Sequence, residues 1–127
     1  MVTGAHEPHV APDVESLVRG WLTLPDLAEA LGVDVVRVRQ AVRDLRVPVV
    51  RRGDRSVLVV PADFVQDGRW VKGLGGLFTL LADGRFEAND ALRWLFTPDD
   101  SLPGSPVQAL RENRGTEVRR RAQVLAM

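Results

Sequence analysis

The chain of 127 residues contains no cysteine, and its two histidines, His6 and His9, both lie within the first ten residues. The lack of cysteine excludes disulfide bonds, thiolate zinc sites and cysteine nucleophiles, and it fits a reducing compartment such as the cytoplasm. The scarcity of histidine removes most histidine-based catalysis and metal chemistry. We therefore expect a protein that is not an enzyme and that uses neither a metal nor a cofactor.

Long apolar runs are also lacking. No stretch reaches the ~18 apolar residues that a membrane-spanning helix needs, and no basic start followed by an apolar block marks a signal peptide. Since 45% of the residues are hydrophobic, the chain can still build a core. We expect a cytoplasmic protein without a membrane segment, organised as one domain or two small modules.

The charges balance in total but are unevenly distributed. Seventeen basic residues face seventeen acidic ones, and sixteen of the basic residues are arginine. Residues 35–55 carry seven arginines against two aspartates, whereas residues 1–18 carry three carboxylates and no basic residue. A cationic block of this kind indicates a polyanion or an acidic partner surface. Arginine suits bidentate contact with guanine or phosphate.

The strongest pattern lies at residues 24–45. Thr23 is placed to cap a first helix that ends at Gly32, and Asp34 is placed to cap a second helix that runs to about residue 45. Ala28 is small at the point where the two helices must approach closely. This spacing predicts a helix-turn-helix, whose second helix enters the major groove of DNA.

A basic hairpin is predicted directly after the second helix. Residues 47–51 and 55–60 are β-branched runs that flank Gly53-Asp54, which indicates a hairpin placed like a wing. Arginines of a wing reach backbone phosphates or the minor groove. The alternative is a helical hairpin whose arginines form only a solvated face. The candidate DNA-binding residues are polar side chains of the second helix and of the hairpin: Arg37, Arg39, Gln40, Arg43, Arg51, Arg52 and Arg55.

The complete chain is predicted to be mainly α, a winged helix-turn-helix with a small β-hairpin wing and a C-terminal helical extension. Residues 1–18 show no helical period and are expected to form a flexible acidic tail that is dispensable for folding. Residues 19–66 form the winged helix-turn-helix DNA-binding domain. Residues 67–127 form a C-terminal helical domain that packs Trp94 and Phe96 into a core, with helices near 77–81, 87–96, 106–113 and 116–126.

Several segments resemble a known family. WLTLPDLAEALGVDVVRVRQAVRD, LRWLFTPDDSL and the closing EVRRRAQ are similar to actinobacterial winged helix-turn-helix DNA-binding proteins. A member of this family is a substrate of a transmembrane Ser/Thr protein kinase. The resemblance runs from about Trp21 to the C-terminus. It implies a cytoplasmic DNA-binding protein with a phosphorylatable N-terminal tail, in which this chain offers Thr3 and Ser16, and it implies the kinase as a partner.

Residues 86–125 carry a second, looser resemblance, to the C-terminal domain of an antitoxin family. The matching positions include Trp94-Leu95, Gly104, Pro106 and Gly115. In that family the domain serves self-association and toxin binding. The function we predict is double-stranded DNA binding, sequence-specific or of the nucleoid type, in transcriptional regulation at the nucleoid. The alternative is a protein-interaction module, in which the C-terminal helices bind a protein partner and DNA contact is secondary.

Overall fold

The computed structural model describes residues 7–127, which fold into helices arranged around a small antiparallel sheet. The helices of this part of the chain are α1 (Pro12–Leu17), α2 (Leu24–Leu31), α3 (Val35–Asp44), α4 (Leu74–Asp83), α5 (Ala88–Phe96), α6 (Pro106–Arg111) and α7 (Gly115–Leu125), with a 3₁₀ turn at Ala62–Phe64. Its strands are β1 (Trp21–Thr23), β2 (Val50–Arg52), β3 (Val57–Pro61), β4 (Val65–Gln66) and β5 (Arg69–Trp70). The prediction of a mainly α winged helix-turn-helix with C-terminal helices is confirmed.

The helix-turn-helix consists of α2 and α3, as predicted. The hydroxyl of Thr23 accepts a hydrogen bond from the Asp26 amide at 3.2 Å and begins α2. Gly32 ends α2 in the left-handed conformation, with φ of +69°. The carboxylate of Asp34 accepts a hydrogen bond from the Arg37 amide at 2.9 Å and begins α3. Local capping chemistry therefore sets both ends of the turn.

The wing is the hairpin formed by β2 and β3. Gly53 and Ser56 both adopt positive φ, and the turn spans residues 53–56, so β3 begins two residues later than predicted. Strand β2 begins at Val50, three residues later than the predicted run, and ends at Arg52. The sheet has the order β1-β3-β2, and β1 pairs with β3 in the register Trp21↔Pro61. The sequence did not predict β1, nor the small hairpin of β4 and β5. The predicted domain boundary after residue 66 falls between these two strands.

Residues 7–18 are not a flexible tail, so that prediction is wrong for this segment. Val10, Val14 and Val18 are buried in the core, and α1 packs on α5, where Asp13 pairs with Arg93. Pro12 does not break α1, because it occupies the first helical position, where no intrahelical amide bond is lost. Residues 1–6, with Thr3 and His6, lie outside the described residues.

The C-terminal helices pack on the helix-turn-helix through one continuous core. At its centre the ring of Phe64 lies 5.0 Å from that of Phe78 and 6.1 Å from that of Phe96. Helix α4 starts at Leu74, three residues earlier than predicted, and it includes Gly75. Gly75 packs closely against Leu45, since a Cβ atom at residue 75 would lie 3.1 Å from the Leu45 side chain.

The side chain of Trp94, which was expected in the core, lies at its edge instead. Trp94, Trp70 and Phe86 are half-buried and pack against the core from the surface. No helix within residues 7–127 is long and apolar enough to cross a membrane.

Candidate nucleic-acid interface

The outward face of α3 is the centre of the candidate interface. Val38 is fully buried and fixes the inward side of this helix. Because successive residues of an α-helix are rotated by about 100°, the opposite side carries Val36, Gln40 and Arg43, spaced four and three residues apart. All three are exposed. They form the outward stripe, the part of α3 that projects furthest from the core.

Arg37 and Arg39 flank the outward stripe on its two sides. They are two residues apart, so their side chains diverge by about 160° around the helix axis. Both are exposed, and neither forms an ion pair with any residue of 7–127; the same is true of Arg43. The helix therefore presents one amide and one available guanidinium group on its outward stripe, and one available guanidinium group on each flank.

The arginines of the wing are placed differently. The Arg52 guanidinium donates to both carboxylate oxygens of Glu15 in α1, at 2.9 and 3.0 Å, and it lies over the Trp21 ring at 5.7 Å from the centroid. This pairing holds the pKa of the Glu15 carboxyl below its ordinary value. Arg52 is thus already bound to an anion supplied by the same chain.

Arg51 also has a structural role. Its guanidinium donates to the Ser56 carbonyl at 2.9 Å and closes the turn of the wing. Its backbone bonds to Pro8 and Val10, each at 2.8 Å, so the segment before α1 adds to the edge of β2. Arg55 lies in the turn itself, exposed and without an ion pair to any other described residue. Among the three predicted wing arginines, Arg55 is the one whose guanidinium forms neither an ion pair nor a hydrogen bond with the described residues.

One further basic residue was missed from the sequence. Arg69 is exposed on β5, and it lines a groove of about 600 Å³ together with Arg37, Gln40 and Trp70. The signal that would have found it is Asp67-Gly68, a turn pair between Val65 and Trp70 that is typical of a short hairpin. This second hairpin brings one more cation to the flank of α3.

Comparison with known proteins agrees with this geometry. Residues 9–65 match the family model described as "DNA-binding protein Rv2175c, wHTH domain", and residues 71–126 match "Rv2175c C-terminal domain of unknown function". The chain is 42% identical over 115 residues to the DNA-binding protein Rv2175c of Mycobacterium tuberculosis, an alignment that covers 81% of this chain and 78% of the relative. The chain belongs to the Rv2175c family.

The fold agrees over nearly the whole chain. The NMR structure of Rv2175c superposes with a TM-score of 0.78 at 36% sequence identity, covering 95% of this chain and 90% of that one. The resemblance to actinobacterial winged helix-turn-helix proteins is therefore confirmed. The family match for the first domain begins at residue 9, so it includes α1, which the sequence pattern had assigned to the tail.

Proposed function

We propose that this member of the Rv2175c family binds double-stranded DNA, with α3 in the major groove and the wing on the sugar-phosphate backbone. The observation that carries the proposal is the exposed face of α3, where Arg37, Arg39 and Arg43 have no carboxylate partner among residues 7–127. Arginines left unpaired on a helix that projects from a winged helix-turn-helix match phosphate oxygens and guanine edges.

The placement of the side chains supports a division of roles. Gln40 and Arg43 lie on the outward stripe, where base edges are reached, and Gln suits adenine while Arg suits guanine. Arg37 and Arg39 diverge towards the two walls of the groove, where phosphates lie, and Arg55 does the same from the wing. Arg51 and Arg52 mainly hold the wing in place.

A salt titration tests the proposal. If Arg37, Arg39 and Arg55 are the main phosphate contacts, log K for a random duplex should fall with log salt at a slope of about −3, at roughly 0.9 per contact. Counting five of the seven arginines in residues 35–55 as phosphate contacts instead gives a slope of about −4 to −5. An affinity that is unchanged between low and moderate salt would contradict DNA binding by this surface.

Transcriptional regulation at the nucleoid is the biological role that we propose for this activity. It is supported by the outward stripe, because Gln40 and Arg43 offer base readout in addition to phosphate contacts. Selection from a random duplex pool, followed by genome-wide immunoprecipitation of bound DNA, tests this role. Binding sites spread without sequence preference would favour a nucleoid-type packaging protein over a regulator.

Regulation by a Ser/Thr kinase is a further part of the proposal. Ser16 is exposed in α1, next to the residue that pairs with Arg52, and its hydroxyl bonds to the Pro12 carbonyl at 3.2 Å. A phosphate would add about −1.5 to −2 charges near the wing and weaken DNA binding. Mass spectrometry after treatment with a kinase, followed by a DNA titration of the modified chain, tests it.

A second candidate function is binding of a protein partner by the C-terminal helices. It is favoured by Trp94, which is half-buried beside Phe86 and lines a surface pocket with Arg93 and Thr97. A thermal melt and a DNA titration of Trp94→Ala separate the possibilities. Loss of stability indicates a packing role, whereas a stable variant that keeps its DNA affinity but loses self-association indicates a partner surface.

A further inference from the structure

Val36 is an apolar side chain placed where a solvated polar one would be expected. It is 75% exposed in the first turn of α3, whereas Val38 is buried and Val35 and Val42 are half-buried against the core. The other valines of this helix therefore pack, and Val36 does not.

Neither packing nor helix formation accounts for a valine at this position. A β-branched residue loses side-chain freedom in a helix and forms helices less well than Ala, Arg, Lys or Glu. Single exposed apolar residues are common on protein surfaces. Val36, however, lies on the outward stripe, in line with Gln40 and Arg43 and close to the N-terminus of the helix that carries the candidate interface.

The chemistry of the major groove supplies a partner for such a side chain. Each base pair presents hydrogen-bonding groups there, and thymine adds an apolar group, its C5 methyl. In helix-turn-helix proteins the N-terminal residues of the second helix contact the base edges. Two valine methyl groups at that place complement a methyl group in the groove and offer no hydrogen bond to any other base.

We propose that Val36 is a specificity-determining residue that contacts the C5 methyl of a thymine, an inference that rests on the proposed DNA binding by α3. Gln40 follows Val36 after one turn, about 6 Å along the helix. Base pairs are spaced by about 3.4 Å. The thymine therefore lies within about two base pairs of the base that Gln40 reads.

Replacing thymine with deoxyuridine, which lacks only the C5 methyl, tests the contact. A binding site is first selected from a random duplex pool with the full chain, and each thymine is then replaced singly. We expect one position at which deoxyuridine weakens binding by about fourfold, the effect of burying one methyl-sized group. Val36→Ala should weaken binding to the thymine site and show no further loss from deoxyuridine at that position.

Val124→Ala is the matched control, because Val124 is also an exposed helical valine, at 70% exposure in α7. It should retain the complete deoxyuridine profile of the unmodified chain. The inference is overturned if Val36→Ala also keeps that deoxyuridine profile. It is likewise overturned if the selected site has no thymine within two base pairs of the base that Gln40 reads.

Arg43→Ala separates this inference from the proposed function. If Arg43→Ala weakens binding while Val36→Ala remains sensitive to the methyl group, DNA binding by α3 stands and the role of Val36 fails. If no variant of α3 changes the affinity for any duplex, both fail together. Circular dichroism melts of Val36→Ala, Val124→Ala and Arg43→Ala test whether unfolding causes a loss of affinity. Because the replaced side chains are exposed, we expect all three variants to keep the melting temperature of the unmodified chain.

Discussion

The helix α3 and the wing carry the same number of candidate arginines, three each, but they hold them in different states. Arg37, Arg39 and Arg43 of α3 are exposed and without ion pairs among the described residues. In the wing, Arg52 is paired with Glu15 and Arg51 closes the turn. Formal charge along the sequence is therefore a poor measure of the charge available to DNA, because the fold neutralises part of it internally.

The difference arises from the neighbours of each element. The segment before α1 pairs with β2 through the backbone of Arg51, and α1 adds the carboxylate of Glu15. Helix α3 is held instead by apolar contacts on its inner side, at Val38. The wing is thus held by polar contacts with residues 8–15, whereas the arginines on the polar face of α3 form no ion pair with any described residue. The following predictions test that contrast.

The largest effect is expected from breaking the anchor of the wing. Val14 is fully buried in α1, and Val14→Asp places a carboxylate in the core without a partner. We expect a loss of roughly 3–5 kcal/mol in the free energy of unfolding, a large share of a small domain's stability. Chemical denaturation measures it. Ser16→Asp adds the same charge at an exposed position of α1 and should change stability by less than about 0.5 kcal/mol.

An unchanged stability of Val14→Asp would mean that residues 7–18 do not belong to the folded unit. The sequence contained a signal for this helix that the interpretation missed. Val10, Val14 and Val18 recur every four residues, the spacing of one helical face. Pro8 and Pro12 obscured it, although a proline in the first turn is compatible with a helix.

The elements that could be predicted are those set by nearby residues. The caps of α2 and α3 use side chains within three residues of the amides they bind, and Ser105-Pro106 begins α6 in the same way. The exposed positions on α3 follow from its apolar period alone. These parts of the fold and of the interface are readable from the sequence because their determinants are local.

The remainder depends on pairs far apart in the chain. The strand β1 forms by pairing with β3, where Trp21 lies opposite Pro61. The charge of Arg52 is neutralised by Glu15, which lies 37 residues earlier in the chain. No local pattern encodes either contact. The sequence therefore predicted the arginines of the wing correctly as basic residues of a hairpin, but it did not predict that Arg52 is paired with Glu15.

The second prediction concerns base readout by the unpaired face of α3. Arg43→Ala should cost about 1–3 kcal/mol on a selected site and clearly less on random DNA, since a bidentate base contact carries sequence information. Arg39→Ala, on the flank, should weaken both duplexes about equally. Fluorescence anisotropy on the two duplexes measures this. Arg114→Ala is the control, because Arg114 lies just before α7 and pairs with Glu117, and it should leave both affinities unchanged. If Arg43→Ala loses the same amount of affinity on both duplexes, Arg43 does not read bases.

A smaller effect sharpens the contrast within the wing. Arg55→Ala should reduce the magnitude of the salt slope by about 0.9, the loss of one phosphate contact. Arg52→Ala should reduce it by less, because its charge is already offset by Glu15. Glu15→Gln should free Arg52, raise affinity modestly at low salt and lose that gain as salt screens it. If Arg52→Ala and Arg55→Ala change the slope equally, the ion pair does not persist when DNA binds.

The smallest effect is the titration of the pair itself. Arg52 lowers the pKa of Glu15 from its ordinary value of 4.5, so the carboxylate is stabilised in the folded state. The pairing therefore contributes its full stability above about pH 4.5 and loses it as the pH falls through the lowered folded-state pKa. Because both side chains are more than one-third exposed, the change in stability is small, and NMR of the Glu15 carboxyl carbon is the sensitive measurement. Arg52→Gln should return the pKa to near its ordinary value, whereas Arg55→Gln, which removes the unpaired arginine of the same turn, should leave it lowered. A Glu15 pKa that does not respond to Arg52→Gln would show that Arg52 is as available in solution as the arginines of α3.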